Sequence, residues 1–305
     1  MDTHYDYEID MVLRMAFGRA VPTCPIPVGL GRAERYRAFA LDDPEGMLPH
    51  RVVLARYSPA EMPKAFRAFT VMQALRALRY PVPQVYYLGW GRGMSHALML
   101  ADFPEARGMD GQIHAFFARV EPHFAQTLAY LHSLQWDEFP DLPVLPLRVA
   151  FDAVATYVRE SGTSEMDTIL DWLLMKINTV RELPYTVLHG DYTLGNVLAE
   201  RMWIVSVLGW ENALLADPRF DIGYASAALG AYGLALSDRF LAGYEAALGP
   251  VPDRDFWDVF SALRLLVRLD GFYDNAPPDQ LEALKAQADP VWYGLIEFVK
   301  HRAHI

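Results

Sequence analysis

The sequence changes character once along its length, and that change limits the folds open to it. From about residue 25 to residue 103, short β-type runs alternate with turns: "RYRAFAL", "HRVVLARY" and "HALMLADF" read as strands, and "YPVPQVYYLGW" as a further extended segment. One helical stretch, "AEMPKAFRAFTVMQALRAL", falls among them. Its Phe66, Phe69, Met72 and Leu75 to Leu78 recur at three- and four-residue spacing, which predicts a single buried face. Past residue 110 long helical patterns take over, broken by the strand-like "YTVLHGD" and "NVLAERMWIVSVLGW". Pro104 and Gly108, in "LADFPEARG", interrupt both patterns. The chain therefore reads as α+β: a small β-rich lobe over residues 1–103, then a larger, mainly helical lobe over residues 104–305, with no internal repeat.

A chain of 305 residues with 52% hydrophobic content can bury a sizeable core, in one large or two modest domains. The net charge of −11, without a run of five or six like charges, argues against nucleic acid or an anionic membrane as the main partner. An acidic surface suits cationic ligands, although acidic soluble proteins are common. Cys24, the single cysteine, leaves no disulfide or thiolate metal cage and fits a reducing compartment; within "VPTCPIP" it reads as a loop thiol. "MDTHYDYEIDMVLRM" carries acids where a signal peptide would be positive, and reads as an amphipathic helix. The weakly polar "IGYASAALGAYGLALS" is shorter than the ~20 apolar residues of a spanning helix. A soluble, cytoplasmic protein is expected, its oligomeric state open.

His189, Gly190 and Asp191, then Asn196, give the spacing H-G-D-x4-N in "VLHGDYTLGN". In phosphoryl transfer an aspartate can orient an acceptor hydroxyl and take its proton, while an asparagine a fixed loop-length later offers a neutral oxygen to magnesium. A plain turn between strands would use the same residue types for steric reasons.

Further segments flank the loop. "VSVLGW" is followed by "ENALLADPRFDIGYA", and "TLAYLHSLQW" and "RYPVPQVYYLG" lie upstream. From roughly residue 25 to residue 240 the chain resembles the aminoglycoside phosphotransferase and choline kinase family in His189, Asp191, Asn196, Trp210, Glu211, Asp217, Pro218 and Asp221. The resemblance implies a bilobal, protein-kinase-like fold that moves the γ-phosphoryl group of ATP to a hydroxyl of a small molecule with magnesium. It implies Asp191 as catalytic base and Asn196 as metal ligand. His189, His132, Asp217 and Asp221 are expected to be structural, and Gly29, Gly31, Leu100 and Asp102 are expected to lie at the nucleotide. Gly29 and Gly31 could equally form a hairpin tip.

The chain departs from that family where charge matters most. Gly209 stands where the resemblance expects the aspartate that chelates magnesium, Ala55 where it expects a cation for the α- and β-phosphates, and Ala68 where it expects the glutamate that orients that cation. Arg56 should point to the opposite face of its strand, and Glu61 lies too early on its helix to substitute. Glu211 could supply a replacement carboxylate only if its loop were rearranged. Two functions are compatible with this pattern: a catalytically impaired pseudokinase or binding module, which the joint losses favour, and an active phosphotransferase with rearranged metal ligands. A Gly209→Asp variant should gain magnesium binding in the first case and gain little or lose activity in the second. A third possibility, a module sequestering a cationic ligand, draws on Asp270, Asp274, Asp279 and Glu282 beside Phe272 and Tyr273.

Overall fold

The computed structural model describes residues 3–27, 36–90, 95–106, 108, 109, 111–135, 137, 139, 142–274 and 281–305. In chain order they form α1 (Thr3–Phe17), β1 (Thr23–Ile26), β2 (Tyr36–Leu41), β3 (Arg51–Tyr57), α2 (Met62–Ala77), β4 (Val85–Trp90) and β5 (Ala97–Asp102). There follow α3 (Ile113–Ser133), α4 (Leu147–Ser161), α5 (Ser164–Lys176), β6 (Thr186–Leu188), β7 (Val197–Glu200), β8 (Trp203–Val207) and β9 (Leu214–Ala216). The chain ends with α6 (Arg219–Gly230), α7 (Leu234–Leu248), α8 (Arg254–Asp274) and α9 (Leu281–Ala303). Among the described residues no helix is long and apolar enough to cross a membrane.

The residues gather into two compact units. One comprises Met1–Gly108, Glu138–Asp141 and Asn196–Ala213; the other comprises Met109–Asp137, Leu142–Gly195 and Leu214–Ile305. The change at Gly108 lies a few residues beyond the expected boundary at 103. Asn196 to Ala213, expected within the helical region, sits instead with the sheet. Packing explains this: the Val207 N–H donates to the Pro81 carbonyl at 2.7 Å, and the Trp210 ring meets that of Tyr80 edge-on at 5.6 Å.

In the sheet unit the strands run antiparallel in the order β1-β2-β3-β5-β4. Side chains alternate across a strand, so Val52 and Leu54 of β3 join Phe39, Leu98 and Leu100 in a core closed by Ile9, Val12 and Leu13 of α1. The N-terminal amphipathic helix is thus present and buries its apolar side. The loop expected around Cys24 is instead strand β1, where Cys24 pairs with Ala40 and Pro25 with Phe39. Proline is tolerated there because β1 is an edge strand, where a missing N–H breaks no ladder.

The buried face of α2 is rotated from the expected one. Ala65, Ala68, Val71, Met72 and Leu75 are buried, whereas Phe66 is 54% exposed. Small residues let this helix approach its neighbours closely, a requirement that hydrophobic spacing alone did not reveal. Ahead of α2, the Glu61 carboxylate accepts the Ser58 backbone N–H at 3.0 Å and the Ser58 hydroxyl at 2.9 Å, as part of a capping box. Glu61 therefore starts a helical turn. Glu61→Ala should lower stability in urea by about 1 kcal/mol; an unchanged midpoint would remove the capping role.

The helical unit is organised around α6, buried on nearly all sides by packing with α7, α8 and α9. Phe220, Trp257, Phe260, Leu263, Leu266 and Phe298 belong to its core. The short antiparallel pair β6–β9 fixes where the chain leaves Leu188 for the loop that follows.

Candidate functional site

In the helical unit, the loop after β6 is held by one buried carboxylate. Asp221, near the start of α6, accepts the His189 N–H at 2.6 Å and the Gly190 N–H at 2.9 Å. Gly190 has φ +79°, the left-handed region that favours glycine. The Asp191 N–H then donates to Nδ1 of His189 at 3.1 Å, which closes the turn. His132 faces Asp221 at 3.6 Å through Nε2, while its Nδ1 lies 2.8 Å from the Tyr244 hydroxyl. Burial acts to raise the pKa of Asp221, but His132, His189 and the backbone donor hold it below the ordinary carboxylate value. Asp217 accepts the Leu183 N–H at 2.7 Å and two guanidinium nitrogens of Arg219, at 2.9 and 2.7 Å. His189, His132, Asp217 and Asp221 thus hold the loop and its surroundings in place.

The loop presents the Asp191 side chain, 16% exposed, to α6 and α8. Its Oδ1 accepts from Nη1 of Arg268 at 2.9 Å, and the same nitrogen donates to the Tyr224 hydroxyl at 2.6 Å. Burial and the nearby Asp191 charge push the Tyr224 hydroxyl up to about 12, so it keeps its proton at neutral pH. One turn earlier on α8, Arg264 lies over the rings of Phe220 and Tyr224, 5.2 and 5.4 Å from their centroids. Its Nη1 is buried without a hydrogen-bond partner among the described residues. Burial lowers its pKa against the opposing pull of Tyr224, Asp221 and Asp191. Arg264, Arg268 and Tyr224 were not anticipated from the sequence. The signal was available in "ALRLLVRLD", where two arginines four apart share one helical face.

In the sheet unit lie Asn196, Gly209 and Glu211. Gly209 adopts φ +83° and ψ +41°, a left-handed conformation that costs any residue with a Cβ about 1–2 kcal/mol. A Cβ placed there would lie 3.1 Å from Oδ1 of Asn196, so Gly209 and the Asn196 amide are immediate neighbours. Glu211 is committed elsewhere: its carboxylate accepts the hydroxyls of Tyr57 at 3.0 Å and Tyr36 at 3.4 Å, and its carbonyl accepts Nη1 of Arg67 at 3.1 Å. These are the partners of Glu211, for which a metal role was expected. Among the described residues no three His, Cys, Asp or Glu side chains are grouped to hold a metal ion.

Tyr57 and Tyr36 bring Glu211 to a particular part of the sheet. Tyr57 lies two residues beyond Ala55 on the same face of β3, and Tyr36 is the cross-strand partner of Ala55. Ala55 and Ala68 are both fully buried. Arg56 turns to the opposite face as expected, where Nε donates at 3.0 Å to the buried carboxylate of Glu8, which His96 also contacts at 3.1 Å. Leu100, expected at the nucleotide, is core on the α1 face, and its strand is paired on both sides. Asp102 accepts the Gln84 N–H at 2.6 Å, and burial raises its pKa. Gly29 and Gly31 lie outside the described residues. Of the expected cationic cage, Asp270 accepts the Tyr157 hydroxyl at 3.1 Å, and Lys285 already lies 5.8 Å over the Tyr273 ring. Asp279 is outside the described residues.

A family model described as the phosphotransferase enzyme family (APH) matches residues 29–260. No curated protein matches the sequence. Among solved structures, a protein from Ralstonia eutropha JMP134, provisionally described as an aminoglycoside phosphotransferase, is 20% identical with a TM-score of 0.71 over 97% of this chain and 98% of that one. A thermostable mutant of aminoglycoside phosphotransferase APH(4)-Ia, in ternary complex with AMP-PNP and hygromycin B, is 18% identical with a TM-score of 0.64 over 94% and 98%. A mutant of the aminoglycoside 2'-phosphotransferase IIIa in complex with GDP is 16% identical with a TM-score of 0.63 over 100% and 98%. These likenesses establish the α+β, protein-kinase-like fold, with its small sheet and larger helical portion.

Proposed function

Since the chain belongs to the phosphotransferase enzyme family, we propose that it is a cytoplasmic member whose phosphoryl transfer is impaired, a pseudokinase or binding module that retains a small-molecule site in its helical unit. The observation that carries this reading is the state of the sheet unit. Gly209 supplies no carboxylate beside Asn196, and the carboxylate of Glu211 is held by the hydroxyls of Tyr57 and Tyr36. Relatives are described in complex with AMP-PNP and with GDP. For this chain the reading assigns ATP and magnesium, if any nucleotide and ion bind, and the residues present fit them poorly. Magnesium prefers oxygens, with at least one carboxylate among them, and Asn196 offers one neutral oxygen. The triphosphate needs a cation, yet Ala55 offers a methyl group and its same-face neighbours hold an anion.

The second reading, an active phosphotransferase with Asp191 as base, draws on the intact His189-Gly190-Asp191 turn and its bracing by Asp221. Rates separate the two. Kinases of this chemistry turn over at roughly 1–100 per second, and loss of one preorganised charge-stabilising group typically removes two to three decades. The proposal expects ADP release below about 0.1 per second with magnesium, ATP and a panel of hydroxyl acceptors. A kcat above about 1 per second with any acceptor would establish the second reading instead.

A further inference from the structure

Within the helical unit a cavity of about 200 Å³ is lined by Phe124, Thr193, Leu194, Ala225, Leu265 and Val291 among others. Every described residue lining it is uncharged. Its size suits a small molecule of roughly ten non-hydrogen atoms, below the usual range for drug-sized ligands. Three of its lining residues are chain neighbours of one polar cluster. Thr193 lies two residues after Asp191, Ala225 directly follows Tyr224, and Leu265 stands one helical turn before Arg268. Through these chain neighbours the apolar cavity is linked to the Asp191 carboxylate, the proton-bearing phenol of Tyr224 and the Arg268 side chain, which is 52% exposed.

This arrangement is unsuited to a polyamine sugar, whose ammonium groups need carboxylates and whose linked rings exceed the space. The Asp191 carboxylate already answers to Arg268, and a second cation on the same helix, Arg264, would add repulsion. Resting on the reading of the helical unit as a small-molecule site, we propose that its ligand is a small hydroxy acid with an apolar tail. The tail fills the cavity, the ligand's carboxylate pairs with Arg268, and its hydroxyl meets Asp191. Because Arg268 Nη1 and Asp191 Oδ1 are only 2.9 Å apart, a ligand that reaches both carries its carboxylate and hydroxyl close together, as in a 2- or 3-hydroxy acid. The Tyr224 hydroxyl, beside Arg268, is placed to donate to the same carboxylate.

The test is calorimetric titration of the full chain, without nucleotide or magnesium, using 3-hydroxyoctanoate, its methyl ester and kanamycin. The acid should bind at least about tenfold more tightly than the ester, because a charge-assisted pair is lost on esterification. In Arg268→Gln the acid should fall to the level of the ester, and Arg268→Lys should recover part of the difference; the exposure of Arg268 makes both substitutions compatible with folding. Equal binding of acid and ester, tighter binding of kanamycin, or no binding of the acid at millimolar concentration would each overturn the proposal. Fast phosphoryl transfer would refute the impaired-kinase reading and leave this preference intact, while loss of the preference would leave that reading untouched.

Discussion

Asp221→Ala is expected to destabilise the protein by about 3–5 kcal/mol, the usual consequence of removing one partner from a buried charged network. The carboxylate satisfies the N–H groups of His189 and Gly190 and faces His132, all away from water. Without it two backbone donors lose their acceptor and a buried imidazole loses the carboxylate it faces at 3.6 Å, and alanine leaves a void that water fills poorly. The effect carries a pH signature. The folded-state pKa of Asp221 lies below its ordinary value of 3.8, so its stabilisation is fully present above that value. It is lost as the pH falls through the lower folded-state pKa. Urea midpoints of wild type and variant, measured from pH 7 down to pH 2, should differ most at neutral pH and converge in acid. A difference that stays constant across that range would show that the carboxylate's charge plays no part.

Gly209→Asp is the second large effect, and here the structure reverses an expectation. The missing carboxylate suggested that an aspartate would rebuild a magnesium site. With φ at +83°, however, the substitution carries left-handed strain, and its Cβ would press on the Asn196 amide at 3.1 Å. A loss of about 1–3 kcal/mol is expected, with Gly209→Ala losing a similar amount because strain is common to both. No magnesium-dependent nucleotide binding should appear, since Ala55, Ala68 and the tethered Glu211 remain. An aspartate variant stabilised by magnesium would mean that the loop relaxes out of the left-handed conformation and that the ancestral ligand set is recoverable by one change.

Much of this was legible because turn chemistry and strand patterns are local. His189, Gly190 and Asp191 announced a loop, and the strands around Ala55 and Leu100 followed from their β-type composition. The opposite orientation of Arg56 followed from strand alternation alone. Less legible were features set by partners far along the chain. The small-residue face of α2 depends on how closely that helix packs, the strand at Cys24 depends on β2, and the tyrosine clasp on Glu211 joins residues more than 150 apart. Arg268 was passed over because its partners, Asp191 and Tyr224, lie 77 and 44 residues away in the chain. The left-handed turn at Gly209 was hidden for a related reason: a glycine in sequence can mark an absent side chain or a required conformation, and only the structure shows the φ of +83° that requires one here.

We propose that the sheet unit holds no nucleotide through magnesium. The most direct test is calorimetric titration of the purified protein with ATP and with a non-hydrolysable analogue, with magnesium present and then chelated. Absent or magnesium-indifferent binding is expected. Micromolar binding that requires magnesium would contradict the proposal.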